Sequence, residues 1–298
     1  MDLKPYLDSI HSWRPELPLA SIEVNPFGLN NLVLKVNDEW ICRFPRNPAS
    51  RENLRREAAL LKIIRRHVDI RVPEFIYDAA LDFVPYRILK GIPLYRHELL
   101  QLDEGLQDRF AADLSGFLRD LHSIPKEELT DGALLPAPSP STAAIRNVWL
   151  NRLGDIRDKL YPFLWADQHA YIEDLFSPIV DGRLDMAAYE LVLIHNDLAS
   201  YHLLSEPSTG RLMGVLDFGE ADWGDPAADF GILISTYGES FLDRLNRSHP
   251  LTQDAIERAR FRAAYIELEW AMKGVESNNP EWFLVHIGRA RDSRPFGS

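Results

Sequence analysis

The segment 191–219 constrains the fold of this chain most, because it joins two apolar runs that each end in a polar loop. The first run covers residues 191–194 and the second covers residues 212–216. Residues 206–210, between the two runs, are turn formers that include a proline and a glycine. The simplest structure for this segment is a β-hairpin with its turn at 206–210.

Such a hairpin would bring three polar side chains together. His202 stands at the start of one arm, Asp217 follows the end of the other, and Asp197 lies in the adjoining loop. Two carboxylates and an imidazole around one cavity can position a hydroxyl group and hold Mg2+. The segment therefore favours a site for phosphoryl transfer.

Composition bounds the class of protein. With 298 residues, the chain can form one large domain or two lobes that each have a hydrophobic core. It has no apolar run of 18 or more residues, and residues 1–5 do not resemble the start of a secretory signal. The single cysteine, Cys42, excludes a disulfide within the chain. We expect a cytoplasmic protein that does not associate with membranes.

The net charge of −12 disfavours nucleic acid as a partner, because phosphate backbones require basic surfaces. A negative potential is compatible with a cationic ligand. Net acidity can equally serve solubility alone, and the charge does not decide between these interpretations. We expect a monomer that binds small molecules.

The first part of the chain predicts a sheet with one long helix. Residues 32–36 and 40–44 flank a polar turn and predict a β-hairpin. The turn before it, residues 25–31, could offer backbone N–H groups to phosphates around Gly28. It contains only this one glycine, so an ordinary turn is the alternative.

Residues 51–66 predict a helix, and Glu57 falls on its apolar stripe. A carboxylate that faces a core is costly unless it is paired. Arg43, in the second strand of the hairpin, is a plausible partner. The alternative is that Glu57 lies at the edge of the stripe and reaches water.

Further along, residues 71–77 and 83–89 predict strands, and helices dominate after residue 94. Residues 131–142 form a proline-rich loop, and residues 220–226 predict a second loop. The predicted helices cover residues 104–122, 143–160, 167–179, 227–237, 239–246, 252–275 and 280–291.

These elements predict an α+β fold with two lobes. A sheet and one helix form the N-terminal lobe, residues 1–89, and a larger helical lobe covers residues 94–298. Residues 90–93, which contain a glycine and a proline, predict a hinge between the two lobes.

Several segments occur in the order found in one known family. Residues 194–202, 215–219 and 225–230 resemble the aminoglycoside phosphotransferase family, which has a protein-kinase-like fold. The order of histidine, asparagine, aspartate and a later histidine looks like its 2″-phosphorylating branch. Residues 41–46, 53–57 and 90–94 upstream, and the spacing from Tyr265 to Trp282 downstream, are also similar, so that the resemblance covers nearly the whole chain.

The resemblance implies a role for five residues. Asp197 resembles the catalytic aspartate that orients or deprotonates the acceptor hydroxyl. His202 and Asp217 would hold Mg2+ against the phosphates of ATP or GTP. Arg43 stands where the family usually has a phosphate-binding lysine, and Glu57 resembles the helix partner of that lysine.

The resemblance also implies two binding surfaces. Backbone groups of the hinge would bind the purine, and the remaining nucleotide contacts would come from Gly28, Arg87, Leu89, Ile194 and Leu216. A cationic acceptor such as an aminoglycoside would meet carboxylates and an aromatic ring on the helical lobe. The candidates are Asp222, Asp225, Glu267, Glu269, Glu276 and Trp282.

Two departures from the family pattern leave alternatives open. Macrolide phosphotransferases, a sister branch, are similar in having arginine at position 43 and histidine at position 202. The acceptor could therefore be a macrolide or another metabolite, and the same departures would suit a nucleotide-binding pseudokinase. Asp225 could instead cap the helix that begins near Pro226, while Asp229 is expected to brace the catalytic loop by analogy with the family.

Overall fold

The computed structural model describes residues 2–25, 30–130, 134–135 and 142–279. The N-terminal lobe contains an antiparallel sheet whose four strands lie in chain order. They are β1 (Ile22–Asn25), β2 (Asn31–Val36), β3 (Trp40–Pro45) and β4 (Val84–Arg87). The predicted hairpin is confirmed, because β2 pairs with β3 and joins Leu34 to Cys42 in register.

Two helices flank this sheet, α1 (Lys4–Trp13) and α2 (Pro48–Ile64). The α2 helix begins three residues before the predicted start at residue 51. Asn47 caps it by accepting a hydrogen bond from the N–H of Ser50 at 2.8 Å, and Pro48 suits the first turn of a helix. The predicted apolar stripe is buried, as Leu54, Ala58, Leu61 and Ile64 show.

The strand predicted at residues 71–77 is wrong. This stretch is extended but forms only an isolated bridge between Arg71 and Gly214 and one hydrogen bond from the N–H of Ile76 to the carbonyl of Pro85. Pro73 has no N–H to donate, so a continuous ladder through its middle is unfavourable. The stretch, which joins α2 to β4, therefore contacts both β4 and the C-terminal hairpin.

The C-terminal lobe contains two small sheets. Their strands are β5 (Ile92–Pro93), β6 (Val192–Ile194), β7 (Leu203–Glu206), β8 (Arg211–Val215) and β9 (Asp222–Gly224). One sheet has the strand order β5–β7–β8, and the other pairs β6 with β9. The predicted hairpin with its turn at 206–210 is thus confirmed as β7–β8.

Strands β5 and β9 of this lobe were not predicted. The apolar run at 191–194 is not an arm of the hairpin, because β6 pairs with β9 and joins Ile194 to Asp222. Residues 222–224 lie inside the stretch that predicted a loop. Turn-forming residues dominate that stretch, and only the distant pairing partner makes it a strand.

The helices after the hinge confirm the predicted ones from residue 104 to residue 275, and the helix predicted at 280–291 lies outside the described residues. They are α3 (Arg96–Leu99), α4 (Glu104–His122), α5 (Lys126–Thr130), α6 (Thr142–Lys159), α7 (Ala166–Val180), α8 (Ala227–Tyr237), α9 (Glu239–Ser248) and α10 (Gln253–Glu276). Within the described part of the chain, none of the helices has the length and apolar character needed to cross a membrane.

Helices α8 and α10 approach each other closely at Gly231. A Cβ atom on this residue would lie 2.7 Å from the Cβ of Arg262 and 2.8 Å from the carbonyl oxygen of Ala259. We expect Gly231→Ala to lower the free energy of unfolding by about 1–3 kcal/mol, because the backbone of α10 must move. Urea unfolding of the purified variant measures this change.

Gly154 in α6 provides the matched control, since a Cβ atom there would meet no atom within 4 Å. Gly154→Ala should raise the free energy of unfolding by about 0.5–1 kcal/mol through helix propensity alone. Equal effects of the two substitutions would contradict the close approach of α8 and α10.

Candidate active site

The loop that carries Asp197 leaves the end of β6 and is held by a buried carboxylate. Asp229 of α8 accepts hydrogen bonds from the N–H of His195 at 3.0 Å and of Asn196 at 2.8 Å. His122 of α4 contacts the same carboxylate at 2.9 Å. Burial opposes the charge of Asp229, but His122, His195 and the hydrogen bond from Asn196 together lower its pKa. The expected bracing role of Asp229 is thus confirmed.

This brace supports an uncommon backbone conformation. Asn196 has a φ of +62°, in the left-handed region, directly before Asp197. A non-glycine residue stays in this conformation only where its surroundings hold it there. The two hydrogen bonds to Asp229 supply that support and aim Asp197 at the cleft.

His195 connects the two loops of the site through its ring. Its Nδ1 accepts a hydrogen bond from the N–H of Asp197 at 3.2 Å, and its Nε2 donates to the carbonyl oxygen of Leu216 at 3.0 Å. Both contacts require the neutral ring with its proton on Nε2. Burial lowers the pKa of His195 to about 4, which keeps the ring neutral at physiological pH.

The low pKa of His195 predicts a dependence of stability on pH. Unfolding releases the ring, whose pKa then rises from about 4 to its ordinary 6.5. The stabilisation is present above pH 6.5 and is lost as the pH falls toward 4, because the unfolded state then binds more protons. At about 1.4 kcal/mol per pH unit, the loss approaches about 3 kcal/mol.

Urea unfolding at pH 7, 5.5 and 4.5 tests this expectation against His195→Gln, whose amide does not titrate. The free energy of unfolding of the variant should change less over this range than that of the parent protein. The same slope for both proteins would show that another group is responsible.

His202 lies between the two aspartates, as the hairpin predicts. Its Nδ1 is 2.9 Å from the backbone carbonyl oxygen of Asp197 and 3.5 Å from its carboxylate. Its Nε2 is 3.6 Å from a carboxylate oxygen of Asp217. Burial raises the pKa of Asp197, His202 opposes this effect, and Asp217 adds to it.

The facing atoms of His202 and Asp217 fit a cation. If Nδ1 donates to the carbonyl of Asp197, Nε2 presents a lone pair to a carboxylate oxygen that also only accepts hydrogen bonds. Their separation of 3.6 Å is too long for a hydrogen bond. A cation between the two atoms, bound directly or through water, would satisfy both of them.

In the described residues, no group of three or more histidine, cysteine, aspartate or glutamate side chains is arranged to hold a metal ion. Mg2+ commonly takes only one or two carboxylates and completes its shell with substrate phosphates and water. The pair of His202 and Asp217 suits a metal ion shared in this way.

Arg43 and Glu57 form a buried ion pair that reaches the same site. Arg43 Nη1 lies 3.0 and 3.1 Å from the two carboxylate oxygens of Glu57, and Nη2 lies 3.6 Å from Asp217. The side chain of Glu57 is only 2% exposed. The predicted pairing is confirmed, and the alternative that Glu57 reaches water is wrong.

Burial and the neighbouring charges have opposing effects on the pKa values of Glu57, Arg43 and Asp217. Burial raises the pKa of Glu57 to about 7, and Arg43 opposes this rise. Burial also opposes the charge of Arg43, yet Glu57 and Asp217 hold its pKa above the ordinary value. Burial likewise opposes the charge of Asp217, but Arg43 and His202 lower its pKa. Asp217 is therefore an anion and Arg43 a cation at neutral pH.

The hinge packs directly on the C-terminal hairpin. Gly91 has a φ of +113°, and a Cβ atom on it would lie 3.0 Å from the Cβ atoms of Leu204 and Met213. A Cβ atom on Gly214 of the same hairpin would lie 3.0 Å from Cδ1 of Leu89. Leu204 and Met213 therefore adjoin the predicted purine site, although nothing in the sequence separated them from other strand residues.

The remaining predicted nucleotide contacts differ in their surroundings. The side chain of Arg87 pairs with Glu39 at 2.6 Å and lies over the ring of Trp40. Ile194 packs on β9, where its Cδ1 leaves no room for a side chain at position 224. Leu216 is half-buried beside Asp217, and Gly28 lies outside the described residues.

Three of the predicted acceptor residues are paired within the protein. Asp225 contacts Arg258 at 2.6 Å and accepts a hydrogen bond from the N–H of Ala227 at 3.0 Å. Its side chain is only 12% exposed, and these contacts fit the alternative that Asp225 caps the helix beginning near Pro226. Asp222 lies 3.7 Å from Arg56, and the exposed Glu276 lies 2.7 Å from Lys159.

Helix α10 carries the other acceptor candidates and one cation that was not predicted. Glu267 and Glu269 are partly buried on this helix, and Trp282 lies outside the described residues. Lys273, one turn further along, places its Nζ 4.5 Å from the centre of the Trp270 ring. Its charge also lowers the pKa of Asp197, against the larger opposing effect of burial.

Known proteins resemble this chain in sequence and in fold. Residues 21–270 match the model of the Phosphotransferase enzyme family. Viomycin phosphotransferase of Streptomyces vinaceus is 26% identical over 227 residues, which cover 69% of this chain and 70% of that protein.

Two solved structures cover nearly the whole chain. The GDP complex of wild-type aminoglycoside 2'-phosphotransferase-IIIa has a TM-score of 0.85 at 23% identity and covers 96% of each chain. Macrolide 2'-phosphotransferase MphH from Brachybacterium faecium has a TM-score of 0.73 at 18% identity and covers 97% of this chain and 99% of its own. These likenesses confirm the protein-kinase-like fold. The chain therefore belongs to the Phosphotransferase enzyme family and is an enzyme that transfers a phosphoryl group to a hydroxyl.

Proposed function

We propose that this enzyme transfers the γ-phosphoryl group of ATP or GTP to a hydroxyl of an aminoglycoside. The observation that carries the proposal is the convergence of Asp197, Asp217 and Arg43 from three separate elements on one cleft. Such a set places a hydroxyl-orienting carboxylate beside a phosphate-binding cation and a metal-binding carboxylate, which is what phosphoryl transfer requires.

Each residue has a specific task in this proposal. Asp197 accepts a hydrogen bond from the acceptor hydroxyl and aims its oxygen at the γ-phosphorus. Arg43, held by Glu57, contacts the phosphates of the nucleotide. Mg2+ bound by Asp217 and His202, directly or through water, would offset charge on the phosphates. Positioning and charge stabilisation supply most of the rate in this chemistry, so Asp197 need not be a strong base.

The division into a nucleotide-binding lobe (residues 1–89), a hinge (90–93) and an acceptor-binding lobe (94–298) belongs to the same proposal. The purine would lie against the hinge backbone and the side chains of Leu204 and Met213. The acceptor would lie against α10, where Glu267 and Glu269 would meet its ammonium groups. We further propose that the enzyme acts as a cytoplasmic monomer and confers resistance to an antibiotic.

A macrolide acceptor is the second candidate, and the ion pairs of the predicted acidic residues favour it. Asp225 and Glu276 already have basic partners, and Lys273 adds a positive charge near Asp197. A polycationic acceptor gains less from such a surface than from unpaired carboxylates. A largely apolar acceptor with one amine tolerates it better.

Steady-state transfer assays separate these candidates. Purified enzyme with Mg2+ is supplied with ATP or GTP and with kanamycin, gentamicin or erythromycin, and phosphorylated products are identified by mass spectrometry. Turnover of an aminoglycoside supports the first proposal, and turnover of erythromycin alone supports the second. Nucleotide binding without turnover of any acceptor contradicts both and would fit a pseudokinase or a kinase of another metabolite.

The resistance role has its own test. The gene is expressed in a sensitive bacterium, and the minimal inhibitory concentrations of the three antibiotics are measured. An increase for the same compound that is phosphorylated in vitro supports the role, provided that an Asp197→Asn variant gives no increase. Turnover in vitro without protection in cells would contradict it.

A further inference from the structure

Two neighbouring residues of α2 bind the backbone of the loop that carries Asp217. Glu57 accepts a hydrogen bond from the N–H of Phe218 at 3.1 Å. Arg56 donates from Nη2 to the carbonyl oxygen of Gly219 at 2.9 Å. One helix turn of the N-terminal lobe therefore contacts the backbone of both residues that follow Asp217, once as acceptor and once as donor.

The loop needs such support because its backbone is strained. Asp217 has a φ of +60°, in the left-handed region that non-glycine residues seldom adopt. Its own carboxylate gives little help, since the hydrogen bond from the N–H of Gly219 to Asp217 Oδ1 is long, at 3.4 Å. A strained residue persists where its surroundings hold it, and here the contacts from α2 do so.

The bond to Gly219 is the stronger of the two contacts of Arg56. The guanidinium also lies 3.7 Å from Asp222, but that carboxylate is 53% exposed. Ion pairs between exposed groups contribute little to stability. The side chain of Arg56 is 27% exposed, and its hydrogen bond to Gly219 is partly buried and charge-assisted.

We propose that Arg56 is a positioning residue that holds Asp217 in its metal-binding orientation through the backbone of Gly219. It touches no reacting atom and acts only through the loop. The inference rests on the proposed function of Asp217 as a ligand of the metal ion that accompanies the nucleotide. Glu57 restrains one side of the loop through Phe218, and Arg56 restrains the other side through Gly219.

The neighbouring Arg55 is the matched control. It lies on the same turn of α2 with the same charge, but its guanidinium is exposed and pairs with Glu52. Arg55→Ala changes helix propensity and net charge as Arg56→Ala does, and it leaves the loop untouched. Arg56→Lys keeps one donor that can reach the carbonyl of Gly219.

The first measurement is made without turnover. Affinity for ADP is determined by calorimetry with and without Mg2+ for the parent protein and the three variants. Arg56→Ala should weaken binding in the presence of Mg2+ about ten- to a hundredfold, as expected for a lost hydrogen bond to a charged group. Its affinity without Mg2+ should stay unchanged, and Arg56→Lys should recover most of the loss.

The second measurement follows the loop in the absence of ligands. Hydrogen–deuterium exchange of peptides that cover residues 216–222 should be faster in Arg56→Ala than in the parent protein. Arg55→Ala should leave this exchange and the affinity for ADP unchanged. In a transfer assay, Arg56→Ala should also need more Mg2+ for half-maximal rate.

Three results would overturn the inference. One is an Arg56→Ala protein that behaves like Arg55→Ala in both measurements. Another is an equal loss of affinity with and without Mg2+ together with a lower melting temperature, which would show a merely structural role. The third is a parent protein whose affinity for ADP does not respond to Mg2+, which would also refute the proposed role of Asp217. If the parent protein phosphorylates no acceptor, the measurement of ADP affinity still tests the inference. That result counts only against the proposed acceptor class.

Discussion

Asp197→Asn is expected to reduce the rate of phosphoryl transfer by about a hundredfold to ten thousandfold. The asparagine side chain is nearly the same size, but it cannot take a proton from the acceptor hydroxyl. Its NH2 group also cannot accept the hydrogen bond that would orient this hydroxyl. The backbone of the loop should keep its place, because Asp229 and His195 hold it through main-chain contacts. The rate constant kcat, measured at saturating nucleotide and acceptor, reports this loss.

Nucleotide affinity separates this effect from damage to the fold. It should stay within about threefold of the parent value, because the variant retains Arg43, Asp217 and the hinge. Asp69→Asn, on the surface, makes the same change of charge as a control. A fully active Asp197→Asn protein would refute the proposed role, and a variant that no longer binds nucleotide would show that the loop had moved.

Arg43→Met is expected to have the largest effect on stability, because it leaves Glu57 buried without its partner. Removal of one member of a buried ion pair costs about 3–5 kcal/mol of unfolding free energy. The same change removes the proposed phosphate contact, so affinity for ATP should also fall. Urea unfolding and calorimetric titration with ATP measure the two effects separately.

A double variant, Arg43→Met with Glu57→Gln, tells the two effects apart. Replacement of both charged partners by neutral side chains of similar volume often restores stability, and glutamine keeps an acceptor for the N–H of Phe218, so this protein should unfold near the parent urea concentration. It should nevertheless bind ATP weakly. Arg43→Lys keeps a charge but loses the fork that spans Glu57 and Asp217, and we expect an intermediate affinity. A double variant that binds ATP like the parent protein would exclude Arg43 from the nucleotide site.

The sequence predicted the structure best where a physical requirement allowed few local structures or few partners. An acid on the apolar stripe of α2 needs a cation, and the pairing of Glu57 with Arg43 followed from that need. Turn formers between two apolar runs predicted the β7–β8 hairpin, which brings His202 next to Asp217. In both cases local patterns identified the contact before any distance was known.

Long-range contacts between ordinary residues could not be predicted in this way. The pairing of β9 with β6 overrides a stretch that is rich in turn formers. The partner of Asp225, Arg258, lies 33 positions along the chain on a helix that carries two other arginines. Arg56 looks like any other basic residue on the surface of α2, since its target is a backbone carbonyl 163 positions away.

The contacts of His195 have a consequence for how this enzyme can change. One rigid ring links the backbone of Asp197 to Leu216, the residue that precedes Asp217. A shift of either loop is therefore transmitted to the other, and the separation of the two carboxylates is maintained. If the acceptor binds at α10, as we propose, this helix can acquire new side chains for new acceptors while the geometry of transfer stays the same. Selection for a different substrate should thus begin with substitutions on α10 rather than at the ends of β6 and β8.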